Sequence, residues 1–575
     1  MAFFLVICYN IFVYSEIFLQ NKKIVKEVFE MLKRLISFFL ITITLICTLC
    51  ACGGDDDISL VMPITKDPLC LDPQIADTRE AKLIINNCYE GLVRQDKDNK
   101  IVGGVAESWS ISSDGLVYTF RLREDTNWQL LKSFKGVLED ENYLENFKTK
   151  VTAHDFVFGL RRAVDKITDA PDAELLYCIK NAQKIHSGEA DKSTLGVKAT
   201  DENTLVITLE RANPDFLRVL TLPLCMPCNE EFFNATHAKY GLGLKYTFCN
   251  GPFYLARWAE DNSLVIYRNE GYVGAQKVKP TAVYFNVNGD EESVITKLKQ
   301  LTYHSAFISD EGAYSLSDNK KVSYSVIENE TRGLAFNCSD KVLHNEKLRQ
   351  ALMILTEPEK IEKPENALAN ARGIIPDCCL YGEKSYREAA GALYNVKYDE
   401  KAALDLWNQG LKELEAESVA IKIICTEEYS AQMQKLIQVW QQVFSTAIVA
   451  KVEILKKDEI DTAIKNDSYQ IALTEITAKT ANPTDTLEYF TSGSTKNIFN
   501  YTSDSYDNIY NSILTSYAGG DILSGLKTAE QMLINSAVFC PLFTYGDFIA
   551  ISKDATDFAP SSALESVCFI NGGLD

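Results

Sequence analysis

Histidine is scarce in this 575-residue chain: His154, His186, His237, His304 and His344 are the five, and they form neither an HExxH motif nor an i, i+4 pair. A histidine-built metal centre of the local kind is therefore excluded. GxSxG, GxxxxGK[ST] and GxGxxG are absent as well, so hydrolase elbows, P-loops and dinucleotide fingerprints lack their marks. Basic charge is in deficit, with 58 Lys+Arg against 79 Asp+Glu and a formal charge of −21. Such a surface repels phosphate backbones, which excludes nucleic acid as a partner. Repeats and low-complexity tracts are missing too. What is present is 46% hydrophobic, 10% aromatic and 24% charged residues, ordinary packed protein with length for about three domains.

One long apolar run stands near the start. Met31-Leu32-Lys33-Arg34 precedes uncharged residues from Leu35 to Ala51, followed by Cys52 and the acidic triplet Asp55-Asp56-Asp57. Positive n-region, apolar h-region and small-residue cleavage site are the parts of a secretory signal. Leu49-Cys50-Ala51-Cys52 resembles the lipobox of bacterial lipoproteins, which makes Cys52 the lipidated N-terminus and membrane anchor; the competing reading is an uncleaved membrane helix at the short limit of a span. Residues 1–51 are then a removed signal region, with Met31 the expected true start. The exported body keeps 53 basic against 76 acidic residues, or −23.

Of 16 cysteines, Cys8, Cys47 and Cys50 precede the cut and Cys52 takes lipid, leaving 12 others in that body. Export permits disulfides without requiring them. Cys225-Met-Pro-Cys228 has no second CxxC nearby, leaving a redox or zinc site, a local disulfide and plain buried thiols as readings. Cys378 and Cys379 are adjacent and cannot easily chelate one ion.

Along the body, strand character around 58–61 leads to a helix from about Glu80 to Leu92. Tyr118 to Arg123 and Thr204 to Glu210 alternate with period 2, the mark of half-buried strands. Thr152 is placed to cap an amphipathic helix through Ala163. The clearest stretch is 419–474: strand at Ile421–Ile424, helix, strand at Val449–Leu455, short helix at Glu459–Asn466, and strand at Tyr469–Leu473. Met433, Leu436, Ile437, Trp440, Val443 and Phe444 share one helix face, which reads as core against a sheet. Strand, helix, strand, helix, strand predicts an α/β layer with parallel pairing.

These landmarks line up with a known family. In order they are Leu71-Asp72-Pro73; Tyr89-Glu90-Gly91-Leu92; Val105-Ala106-Glu107-Ser108-Trp109; Asp114-Gly115 with Tyr118 to Arg123; Trp128; Thr152 to Phe158 with Arg161-Arg162; Asn250-Gly251-Pro252-Phe253; Arg268-Asn269 with Tyr272; Phe336-Asn337; Leu348 to Leu352; and Asn482-Pro483. The chain resembles the extracellular solute-binding proteins of family 5, the oligopeptide and dipeptide receptors of ABC importers. The resemblance implies a two-lobed α/β clamp of the periplasmic-binding-protein type, with an extra domain inserted in the first lobe and closure over ligand at a hinge. It implies a first lobe of 53–100, 202–300 and 536–575, an inserted domain of 101–201 and a second lobe of 301–535. It also implies no enzymatic activity and no cofactor, a peptide ligand, ABC permease subunits as partners, a lipid-anchored membrane location and a monomer. The motifs themselves read first as scaffold: Asp114-Gly115 as a hairpin turn, Trp109, Phe120 and Trp128 as inserted-domain core, and Asn250-Gly251-Pro252 as a rigid turn between lobes. A departure is the longer segment 129–150, whose role is open.

Members of this family hold the peptide's amine with an aspartate in a loop after a second-lobe strand. Ungapped matching from Tyr469 to Pro483 puts Lys479 there, so the anchor charge is inverted, with Glu475 and Asp485 the nearby carboxylates. Ile476 and Thr477 complete that wall. On the facing loop the resemblance brings Asp77, Thr78 and Arg79 toward the cleft. Arg79 and Lys479 then recognise an anionic ligand group or a peptide without a free amine; the competing reading is two solvated loop cations or a local misalignment. An enzyme on the same scaffold and a sensor without transport are the other function classes.

Overall fold

A computed structural model describes residues 58–575 apart from 97–99, 214, 365, 382–383, 479, 517–521, 558, 562–565 and 575. Cys52 and the signal region lie outside the described residues. Strand β1 (Ser59–Ile64) leads through a loop to helix α1 (Arg79–Cys88). Thr78 caps α1 by accepting from the Ala81 N–H, and Glu80 places negative charge in its first turn. The chain then builds a separate sheet from β2 (Ala106–Ile111), β3 (Val117–Leu122), β4 (Val197–Asp201) and β5 (Thr204–Thr208), ordered β2-β3-β5-β4. Between β3 and β4 lies α2 (Ala153–Val164), where Thr152 stands at the N-cap that the sequence predicts and Asp155 completes a capping box with it. Gly115 turns β2 into β3 at φ 71°, a conformation only glycine adopts freely.

The chain returns as β6 (Phe253–Ala259), β7 (Ser263–Arg268) and β8 (Ala282–Val287), which join β1 in the order β1-β8-β7-β6, with β1 and β8 parallel. Helix α3 (Glu291–Lys299) and β9 (Ser305–Ile308) carry it toward a second sheet containing β10 (Val322–Phe336), β11 (Val419–Cys425), β12 (Ile448–Ile454), β13 (Ile471–Thr477) and β14 (Phe539–Ser552). Its order is β9-β14-β10-β13-β11-β12. β11 pairs in parallel with both β12 and β13, as the alternating pattern over 419–474 predicts. The intervening helix α4 (Ser430–Phe444) buries Met433, Leu436, Trp440 and Phe444, with Ile437 and Val443 half-buried beside them.

Two boundaries differ from the expected ones. β5 pairs with β3, so the separate sheet runs past 201. β14 pairs along β10 in the second sheet, and the chain rejoins the first core only beyond it, where Asn87 donates to the Val567 carbonyl and accepts from the Phe569 N–H. A strand's own sequence carries no mark of which distant strands it pairs with, and that is what hid the second boundary.

Asn250-Gly251-Pro252 is not a turn between lobes. Asn250 exchanges two hydrogen bonds with the Glu90 backbone at 3.0 and 2.9 Å, and the Gly251 N–H donates to the Cys88 carbonyl, pinning the turn to the end of α1. The 129–150 segment packs inward: Phe134 and Phe147 meet Phe248, and Phe134 also meets Phe232. Cys225 and Cys228 are buried free thiols, Cys228 beside Arg162 and Cys225 against the Val219 carbonyl; among the described residues no group of metal-ligating side chains occurs.

At Gly251 a Cβ would sit 2.6 Å from the Cys88 carbonyl carbon. The expected result for Gly251→Ala is a loss of roughly 1–3 kcal/mol in urea unfolding, the usual cost of overpacking against backbone.

Candidate functional site

The carboxyl ends of parallel strands are where open α/β sheets leave room for ligands. β1 and β8 both end at a cavity of about 740 Å³, lined by Thr65 and Lys66 after β1, Asn288 and Gly289 after β8, the first turn of α1, and Phe307 to Ser309 of β9. That volume lies within the roughly 300–1,000 Å³ typical of small-ligand sites. Asp77, Thr78 and Arg79, expected at the cleft, all line it.

Arg79 is not a solitary cation. Its guanidinium pairs with Asp547 of β14 at 2.5 Å and lies 4.7 Å from the Phe307 ring centroid. Glu80 is buried and accepts from the Thr65 hydroxyl, while Glu291 accepts from the Ser309 N–H and hydroxyl. Asp547 is positioned by a defect in the ladder. Between Ile327 and Glu330 the β10–β14 register shifts, and Asn329 in that bulge donates to Asp547 at 2.9 Å. The Asn329 carbonyl accepts from the Ala478 N–H at 2.9 Å. A chain of contacts from Arg79 through Asp547 and Asn329 thus reaches the loop after β13, linking both halves of the expected site.

The second half is only partly a ligand wall. Ile476 is fully buried in the second core, so its side chain cannot face a ligand. Thr477 is half-buried opposite Glu330. Glu475 is neutralised by Lys457 at 2.5 Å, which removes it as a free amine anchor. Lys479 lies outside the described residues. Across from Glu475 stands Arg332, sandwiched between Tyr429 at 5.2 Å and Tyr545 at 4.4 Å and paired with Glu330 at 2.6 Å. No motif marks Arg332, Tyr429, Tyr545, Asn329 or Asp547, and sequence reasoning missed them; only Tyr429, lying just beyond a predicted strand end, carried a positional signal.

Asp485 belongs to another crevice. It accepts from the Thr480 hydroxyl at the start of the helix Pro483–Glu488, which Asn482 caps. There Arg211 pairs with Glu488 at 2.9 Å across 277 residues of sequence, and Lys496 joins Glu488 at 3.2 Å. Burial pushes the Asp215 carboxyl up to about 7, with the Asp485 charge adding to the rise and Arg218 at 3.2 Å opposing it. A carboxyl raised in the folded state contributes stability below its unfolded pKa, and loses it as pH rises to about 7. Unfolding measured across that window should show stability falling toward pH 7, and Asp215→Asn should flatten that part of the profile.

Two α/β lobes, a third sheet inserted in the first, and a ligand-sized cavity at strand carboxyl ends define the two-lobed periplasmic binding proteins, a class of solute receptors and not of enzymes. Residues 100–497 match the family model described as bacterial extracellular solute-binding proteins, family 5 Middle, and the chain belongs to that family. It is 26% identical over 493 residues to the dipeptide-binding protein DppE of Bacillus subtilis (strain 168), covering 84% of this chain and 85% of that one. It is 34% identical over 213 residues, 37% of this chain and 36% of the other, to the probable deoxycholate-binding periplasmic protein YgiS of Escherichia coli (strain K12). The fold matches Listeria monocytogenes OppA bound to peptide with a TM-score of 0.66 at 23% identity, over 91% of this chain and 99% of that one.

Proposed function

We propose that this protein is a lipid-tethered extracytoplasmic receptor that captures peptides between its lobes and delivers them to an ABC permease. The observation that carries the reading is the cavity at the ends of β1 and β8, lined by Asp77, Thr78 and Arg79, in a chain matched over most of its length by a dipeptide-binding relative. Peptide-holding clefts combine apolar surface with a few polar groups that fix orientation. Ile64, Leu83 and Phe307 supply the former here and Thr78, Asn288 and Ser309 the latter. No helix among the described residues is long and apolar enough to cross a membrane.

Binding to the folded state alone stabilises by RT ln(1 + [L]/Kd), about 2.7 kcal/mol at a hundredfold excess over Kd. Pools of di- to hexapeptides are expected to raise the melting temperature and compact the particle in solution scattering. The partial likeness to YgiS makes a bile acid the competing solute; a shift with deoxycholate and none with any peptide pool overturns the peptide reading.

Two or more acyl chains are needed for stable tethering, since one binds membranes only marginally. The full chain expressed in a bacterial host should partition into detergent phase, and Cys52→Ala should move it to the aqueous phase. Equal partitioning of the two removes the anchor.

A further inference from the structure

Of the five histidines, His304 alone is buried, at 8% exposure, and it stands where the chain passes between the two lobes. The first passage runs from β8 through α3 and His304 into β9, and the second leaves the end of β14 at Ser552 for the first core. Both meet at this residue. Its carbonyl accepts from the Ser552 N–H at 2.9 Å and from the Ser552 hydroxyl at 3.3 Å. On its other side His304 exchanges two hydrogen bonds with Val61 of β1: its own N–H donates to the Val61 carbonyl at 2.9 Å, and the Val61 N–H donates to its Nδ1 at 2.8 Å. The first of these is indifferent to pH. The second is not, because an imidazole nitrogen accepts only while it carries no proton, so the ring is neutral with its proton on Nε2.

We infer that His304 is a pH-sensitive joint between the lobes, its neutral ring tying β1 of the first sheet to β9 of the second and its protonation releasing that tie. A protonated ring presents an N–H at Nδ1 where Val61 presents another, so two donors confront each other and a buried backbone N–H loses its partner. The Val61 side chain packs on the second-lobe cluster of Val294, Leu298, Phe548 and Ala550, so slack in its backbone loosens the contact between the sheets. Few charges stand by to compensate. β1 and β9 carry no titratable side chain. Lys297 of α3 is engaged with the Tyr303 hydroxyl at 3.1 Å, and Lys321 and Lys553 are exposed. Asp554 faces the ring, and its carboxylate, which also accepts from the Ser552 hydroxyl, favours the proton. Burial is the larger influence and holds the imidazole below its ordinary 6.5. A group depressed in this way contributes stability above its unfolded value and loses it as pH falls through the folded one, so the joint is tight at neutral pH and loosens in acid.

The test is amide exchange read by mass spectrometry on peptides covering β1 and β9 of the full chain, since global unfolding mixes this joint with Asp215, whose contribution runs the opposite way. Wild type, His304→Asn and His304→Leu are compared between about pH 7.5 and 5, with rates corrected for the intrinsic pH dependence of exchange and referred to the parallel strands β11 and β12. Asparagine's Oδ1 replaces Nδ1 as an acceptor with no proton to gain, whereas leucine offers no acceptor. Protection at Val61 should fall about tenfold or more in the wild type as pH is lowered, stay level in His304→Asn, and be low at both ends in His304→Leu. Where His304→Leu fails to fold, the comparison of wild type with His304→Asn decides alone. Unchanged protection in the wild type, the same fall in His304→Asn, or wild-type protection in a folded His304→Leu overturns the assignment. None of these outcomes involves a ligand, so the receptor reading stands or falls separately.

Discussion

The contact between Arg79 and Asp547 joins the opening turn of α1 to the ribbon of β10 and β14, and the site's geometry depends on it. The pair is partly exposed, at 35% and 20% of the two side chains, and such pairs contribute only about 0–1 kcal/mol. Its value is in placement. Holding β10 against β14 falls to a ladder that continues on both sides of the bulge, from Val322↔Ser552 to Ala335↔Phe539. The bulge at Glu328–Asn329 interrupts that ladder where Asp547 must be turned toward α1, with Asn329 as its second partner. Since the Asn329 carbonyl also accepts from Ala478, one irregularity fixes the loop after β13 relative to the cavity wall.

Much of this architecture was legible in the residues. The apolar stripe from Met433 to Phe444, the Thr152 cap and the alternating segments over 419–474 each report a local period or a local hydrogen bond, which sequence records directly. The bulge was not legible, because register is set by which residues face one another across strands that are more than two hundred positions apart. Asp547 was missed for the same reason: nothing adjacent in sequence distinguishes it from an ordinary strand aspartate. Asp77, Thr78 and Arg79 were placed at the cleft through family resemblance, and all three line the cavity, whereas Arg79's charge turned out to be matched by a residue 468 positions away. On the other wall Ile476 followed the alternation of its strand into the core, and Glu475 met Lys457 from the helix Lys457–Lys465, a contact that spacing along the chain does not reveal.

The inserted sheet and the second lobe meet away from the cavity as well, through Arg211 with Glu488 and Asp215 near Asp485. These groups are mixed in sign and partly wet, so they contribute little net attraction at physiological salt. The body's strong negative charge acts in the same direction, since like-charged lobes resist being brought together.

In the proposed receptor that balance has a consequence for how ligand acts. A ligand shifts a two-state equilibrium only by its differential affinity for the two states, and weak contacts between lobes leave the closed form without a large advantage of its own. The cavity wall then has to supply the difference. Apolar surface at Ile64, Leu83 and Phe307 does so in proportion to area and with little regard to chemistry, which suits a receptor of broad range. The polar and charged groups that line the same cavity work in the opposite way, contributing discrimination more than bulk affinity. A cavity lined by apolar and polar side chains together therefore admits varied solutes in the proposed receptor while still fixing how each one sits.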